Sequence, residues 1–74
     1  MRRLRFHLAI SPAQLLSYYQ GRHAALSVHT EQGVRLQIGL HHFRPFVSHQ
    51  GLQGYFEITL DNDNAFQQLL RLTH

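Results

Sequence analysis

Apolar and polar side chains alternate cleanly over residues 3–10. Leu4, Phe6, Leu8 and Ile10 fall on one side; Arg3, Arg5, His7 and Ala9 fall on the other. A period of two predicts a half-buried strand. Ser11 then reads as an N-cap, Pro12 as the first helical residue and Gln14 as the partner in a capping box. Leu15, Leu16, Tyr18 and Tyr19 continue a short helix that stops at Gly21, a glycine suited to the left-handed C′ position. At about two and a half turns, such a helix depends on tertiary packing.

Alternation resumes in Leu26, Val28 and Thr30 against Ser27 and His29, then in Val34, Leu36 and Ile38 against Arg35 and Gln37. Gly33 between them supplies the positive φ of a short hairpin loop. From Leu40 to Phe46 the pattern breaks. Pro45 biases Arg44 away from the helical region, so any helical turn there is short and ends before it. Val47 to His49 reads as a brief strand and Gln50-Gly51 as a turn. Leu52 to Leu60 reads as a longer strand, with Phe56, Ile58 and Leu60 inward and Tyr55, Glu57 and Thr59 outward. Gly54 marks a bulge or bend within it, and Asp61-Asn62-Asp63-Asn64 a polar hairpin turn. Ala65 to Leu72 admits helical spacing, but a closing strand fits the preceding turn better. Residues 1–74 therefore predict one small α+β domain. Its expected form is a curled antiparallel sheet, or partly open barrel, of about five strands with one short helix after the first; Gly39, Gly51 and Gly54 let the sheet curl.

Composition narrows the chemistry. A chain of 74 residues supports a single core. With no cysteine, disulfides, thiolate zinc sites and thiol nucleophiles are excluded. Four acids are too few for a carboxylate-rich metal cage. No apolar run approaches the ~20 residues that span a bilayer. The basic start Met1-Arg2-Arg3-Leu4-Arg5 gives way to alternation and Pro12 rather than to a signal-peptide core, so a cytoplasmic protein without a membrane partner is expected. The net charge of +3 sits in Arg2, Arg3 and Arg5, because Arg22, Arg35, Arg44 and Arg71 are balanced by Glu31, Glu57, Asp61 and Asp63. The absence of lysine reads as a general preference for arginine rather than as phosphate recognition.

Seven histidines raise the question of a metal. Their spacing lacks the paired pattern of zinc sites. His41 and His42 are adjacent, which turns their rings apart, and His23 and His29 lie ~20 Å apart along one strand at ~3.3 Å per residue. His49 meets His41 or His42 only through tertiary folding, and His74 stands alone at the end of the chain. Asp61-Asn62-Asp63 opens like a calcium loop, but Ala65 and Phe66 stand where an oxygen ligand and a glycine are needed. Ser48 and His49 are neighbours without a nucleophile elbow, and Gly51-Leu52-Gln53-Gly54 is too small a fragment for a phosphate loop. No metal, cofactor, small-molecule substrate or catalytic residue is expected, and no enzyme.

Three blocks carry a family resemblance: Ile10-Ser11 with Tyr18-Tyr19-Gln20-Gly21, then Arg44-Pro45-Phe46-Val47-Ser48-His49-Gln50-Gly51-Leu52-Gln53-Gly54-Tyr55-Phe56, then Leu60-Asp61-Asn62-Asp63-Asn64. Together they resemble a short uncharacterised proteobacterial family, domain of unknown function 2835, over essentially the whole chain. Phe43 stands where that family usually carries leucine, and the His41-His42 pair is untypical of it. The resemblance implies no activity.

Two binding functions are expected to compete. In the first, the domain engages a protein or a second copy of itself, by strand addition or through a surface of Tyr18, Phe43 and Arg44. The two consecutive tyrosines cannot both face the core, which leaves one half exposed beside residues 43–46. The plainer reading of that segment has Phe43 and Phe46 closing one end of the sheet, with Arg44 paired to Glu57 or Asp61. In the second, one sheet face gathers Arg3, Arg5, Arg35 and Arg71 around Tyr55, with Arg2 beside them, as a surface for nucleic acid.

Overall fold

The computed structural model describes residues 1–21 and 25–73. In chain order it contains strand β1 (Arg2–Ile10), helix α1 (Pro12–Gln20), strands β2 (Ala25–His29) and β3 (Arg35–Gly39), a 3-10 helix (Leu40–Phe46), and strands β4 (Leu52–Leu60) and β5 (Phe66–Thr73). Arg22, His23 and His74 lie outside the described residues.

The central strand is β4. β1 pairs with it antiparallel along its whole length, from Arg2↔Leu60 to Ile10↔Leu52, and β5 pairs with its other edge. Side-chain alternation then does what the sequence pattern requires. Leu4, Phe6, Ile10, Leu52, Phe56, Ile58 and Leu60 point to one side and are buried. β2 and β3 form a separate hairpin whose inward pairs, Leu26↔Ile38 and Val28↔Leu36, join the same core. At the centre, Phe56 stacks on Phe6 with ring centroids 5.7 Å apart and meets Phe43 edge-on at the same distance.

Several local expectations hold. Ser11 and Gln14 form the capping box, with Ser11 Oγ accepting from the Gln14 N–H (3.2 Å) and Gln14 Oε1 accepting from the Ser11 N–H (3.1 Å). Gly33 turns the hairpin at φ +83°. Asp61 Oδ1 accepts from the N–H groups of Asp63 and Ala65, which reverses the chain and makes the last segment a strand rather than a helix. At Gly54, φ is +142° and the β4–β5 register slips by one residue beside it, leaving Leu72 as a bulge; a second slip leaves out Gln67.

Other expectations are corrected. The sheet is not one curled ribbon or partly open barrel: among the described residues there are two sheets, β1-β4-β5 and β2-β3, with no closed barrel. Among the described residues the hairpin's hydrogen bonds to β1 come from its tip, where the Glu31 N–H donates to Arg5 O (2.7 Å) and the Arg5 N–H to Gln32 Oε1 (3.1 Å). Val47 to His49 contributes a single bridge, Ser48↔Gly51, because two reciprocal backbone hydrogen bonds close that segment into a tight turn. Gly21 caps α1 in an extended conformation, φ −78°, and not in the left-handed one.

The 3-10 helix runs through Pro45 instead of ending before it. Side chains three apart eclipse in such a helix, so Leu40, Phe43 and Phe46 all turn toward the core. Adjacent His41 and His42 do not turn apart: their ring centroids are 3.9 Å from each other, with the His41 ring lying where a Cβ on Gly39 would collide. Thr59 faces outward as expected but is buried, between the long cross-strand neighbours Arg3 and Gln68.

Candidate functional site

The two sheets do not meet at the far side of the molecule, and the gap is the candidate site. β3 and β5 are terminal strands of their sheets, so each presents a row of unpaired backbone groups along one edge. Along β3, from Val34 to Gly39, runs a groove of about 440 Å³, closed on its other side by Arg2, Ile58, Leu60, Asn64 and Phe66, the first residue of β5. Leu36, Ile38, Ile58 and Leu60 line it with apolar surface, and Arg2, Arg35, His42 and Phe66 stand around it. Phe66 keeps 37% of its surface exposed, although it stacks on His42 with centroids 3.8 Å apart.

The cations of the groove are partnered by neutral groups. An Arg2 guanidinium N–H donates to Asn64 Oδ1 (3.1 Å) and Arg35 Nε to His29 Nε2 (2.9 Å). Neither forms an ion pair with a carboxylate among the described residues. Burial, and secondarily the neighbouring His41, hold His42 below the ordinary histidine pKa. The folded chain therefore takes a proton at His42 less readily than the unfolded chain. The resulting stability is present in full above about pH 6.5 and is lost as pH falls through the folded value. His42→Phe preserves the stacking on Phe66 and removes the titration. Thermal unfolding between neutral and mildly acidic pH is expected to show a steeper loss in the parent chain than in the variant; parallel pH profiles would contradict this.

The residues expected to form a nucleic-acid surface are divided among three places. Only Arg3, Arg5 and Tyr55 share the outer face of the three-stranded sheet. There the Arg5 Nε donates to Glu57 Oε2 at 2.9 Å, and this contact raises the already high pKa of Arg5. The Tyr55 ring stacks on His7 at 4.3 Å, and its hydroxyl donates to Glu31 Oε1 at 2.6 Å, which holds its pKa above the usual phenol value. One ring face and the hydroxyl of the tyrosine are thus occupied within the domain. Arg2 pairs across from Leu60 and turns to the groove, as does Arg35. Arg71 pairs across from Phe56, on the inward side of β5, and lies over the Phe46 ring with its guanidinium carbon 5.8 Å from the centroid.

The expected interaction surface of Tyr18, Phe43 and Arg44 also changes. Phe43 has no exposed surface and packs edge-on against Phe6 and Phe56, because the 3-10 helix directs every third residue inward. Arg44 is exposed, and Glu57, one of its expected partners, is engaged by Arg5. Tyr18 and Tyr19 are exposed to similar extents, 42% and 40%, since Leu15 alone anchors α1 in the core. Among the described residues, no three histidines or acids are grouped so as to hold a metal ion, and no helix is long and apolar enough to cross a membrane.

Among the described residues, five strands in two sheets with one short α-helix define a small sheet-rich α+β domain with a groove along β3. A family model matches residues 2–72 of the 74, and the chain belongs to that family, described as "Protein of unknown function (DUF2835)". No curated protein and no solved structure matches the chain.

Proposed function

We propose that the domain is a non-catalytic binding module that takes an extended segment of a protein partner into the groove along β3. The observation that carries this reading is the terminal strand β3 bordering an apolar channel along its whole length. An added strand satisfies backbone groups on an edge while its alternate side chains enter the channel. Arg2 and Arg35 lack carboxylate partners among the described residues. Charge complementarity thus favours a segment in which acidic residues flank apolar ones.

The competing surface for nucleic acid, the outer face around Arg3, Arg5 and Tyr55, is less favourable because Glu57 and Glu31 already compensate it. A photo-crosslinking side chain at Gln37, which borders the groove, is expected to capture a protein in cells. The same group at exposed Ser17 on α1 is not. Arg35→Glu is expected to abolish the adduct. An adduct mass of twice the chain would identify the partner as a second copy. A nuclease-sensitive adduct, or capture equal at both positions, would overturn the proposal.

A further inference from the structure

The Arg44–Gly54 block borders a second hollow that shares no lining residue with the groove. It has a volume of about 360 Å³ and is bounded by Phe46, Ser48, His49, Gln50, Gln53 and Arg71. Among the described residues no carboxylate lines it, and Arg71 is its one permanently charged group.

That arginine is held in place. Its stem passes Gly54, where an added Cβ would lie 2.9 Å from Arg71 Cδ and 3.2 Å from Cγ. Its guanidinium is supported by the Phe46 ring. Among the described residues Arg71 makes no side-chain hydrogen bond and no ion pair, so all of its N–H donors remain available. Facing it is the tight turn from Ser48 to Gly51. Ser48 Oγ accepts from the Gln50 N–H (3.2 Å), which leaves its own O–H to donate outward. The His49 imidazole carries an N–H donor in either tautomer. The turn is pinned in position because Gly51 packs against Ile10 O and Pro12 N at the β1–α1 junction.

A positioned guanidinium with no acceptor, set among neutral donors in a hollow free of carboxylates, is arranged to receive an oxyanion. We infer that this hollow binds the phosphate or carboxylate group of a small molecule. The Arg71 fork takes two of its oxygens, and Ser48 and His49 donate to it from the opposite side.

The inference is tested by titrating the intact chain with inorganic phosphate, and separately with acetate, at constant ionic strength set with chloride. The resonances of the Arg71 Nε–H and the His49 ring are followed. Saturable shifts confined to residues 46–53 and 71 are expected; response to phosphate assigns a phosphate-bearing ligand, response to acetate a carboxylate. Arg71→Gln is expected to weaken binding about tenfold or more. Arg71→Lys, which keeps the charge and loses the fork, should fall between the two. The cross-strand contacts of the His7–Tyr55 pair report that each variant remains folded. Shifts that never saturate, that chloride alone reproduces, or that persist in a folded Arg71→Gln variant would overturn the inference.

Discussion

A Gly51→Ala chain is expected to lose a large share of its stability toward urea. Gly51 is buried at φ +95°, and a Cβ there would stand 2.1 Å from Ile10 O and 3.0 Å from Pro12 N. Both contacts are backbone, at the point where β1 hands over to α1, so neither can be relieved by rotating a side chain. The left-handed conformation costs an L-residue about 1–2 kcal/mol. Displacing the junction adds roughly 1–3 kcal/mol, by analogy with overpacked cores. A domain of 74 residues has about 4–11 kcal/mol in total. Gly33→Ala provides the comparison: φ is +83°, yet nothing lies within 4 Å of its added Cβ, so only the conformational cost remains. In urea unfolding, Gly33→Ala should lower the midpoint modestly and Gly51→Ala at least twice as far. Equal midpoints would mean that the turn does not press on the junction.

Phe56→Ala is expected to have an effect of similar or greater size. Phe56 has no exposed surface, and three rings converge on it: Phe6 at 5.7 Å, Phe43 at 5.7 Å and Phe46 at 5.4 Å. Truncating a buried phenylalanine costs about 3–5 kcal/mol, from lost transfer free energy together with the cavity left behind. Here the cavity would open between the sheet and the 3-10 helix, which is held largely by its inward Leu40, Phe43 and Phe46. Near-ultraviolet circular dichroism and the urea midpoint should fall together. Phe56→Leu, which refills part of the space, should recover much of the loss. A folded Phe56→Ala chain with an unchanged midpoint would show that the ring cluster is not the core.

The parts of the fold legible in the sequence were those governed by contacts near in the chain. The period of two in β1, the reciprocal Ser11–Gln14 cap, the Gly33 turn and the Asp61 turn each depend on a few neighbouring residues. The split into two sheets depends instead on how far the hairpin tip travels before meeting Arg5, which no local pattern encodes. The 3-10 helix was present as apolar residues three apart, Leu40, Phe43 and Phe46, but Pro45 concealed it as an apparent stop. Arg71 was assigned to the wrong side of β5 because Leu69, Leu70 and Leu72 leave the phase of that strand undetermined; a bulge at Leu72 removes what alternation remains. The groove is illegible for the same reason, since its walls come from β1, β3, β4 and the start of β5. Only the exposed Phe66, an apolar residue just past a polar turn, offered a hint.

The two register slips in β5 limit its free edge in a way that matters beyond the fold. Between the omitted residues Gln67 and Leu72, only Gln68 to Arg71 pair regularly with β4. At about 3.3 Å per residue, this straight stretch is roughly 13 Å long. Bulges at both ends twist the strand away from the line that an incoming strand would follow. Stacking of copy upon copy along the β5 edge is therefore interrupted within one short segment.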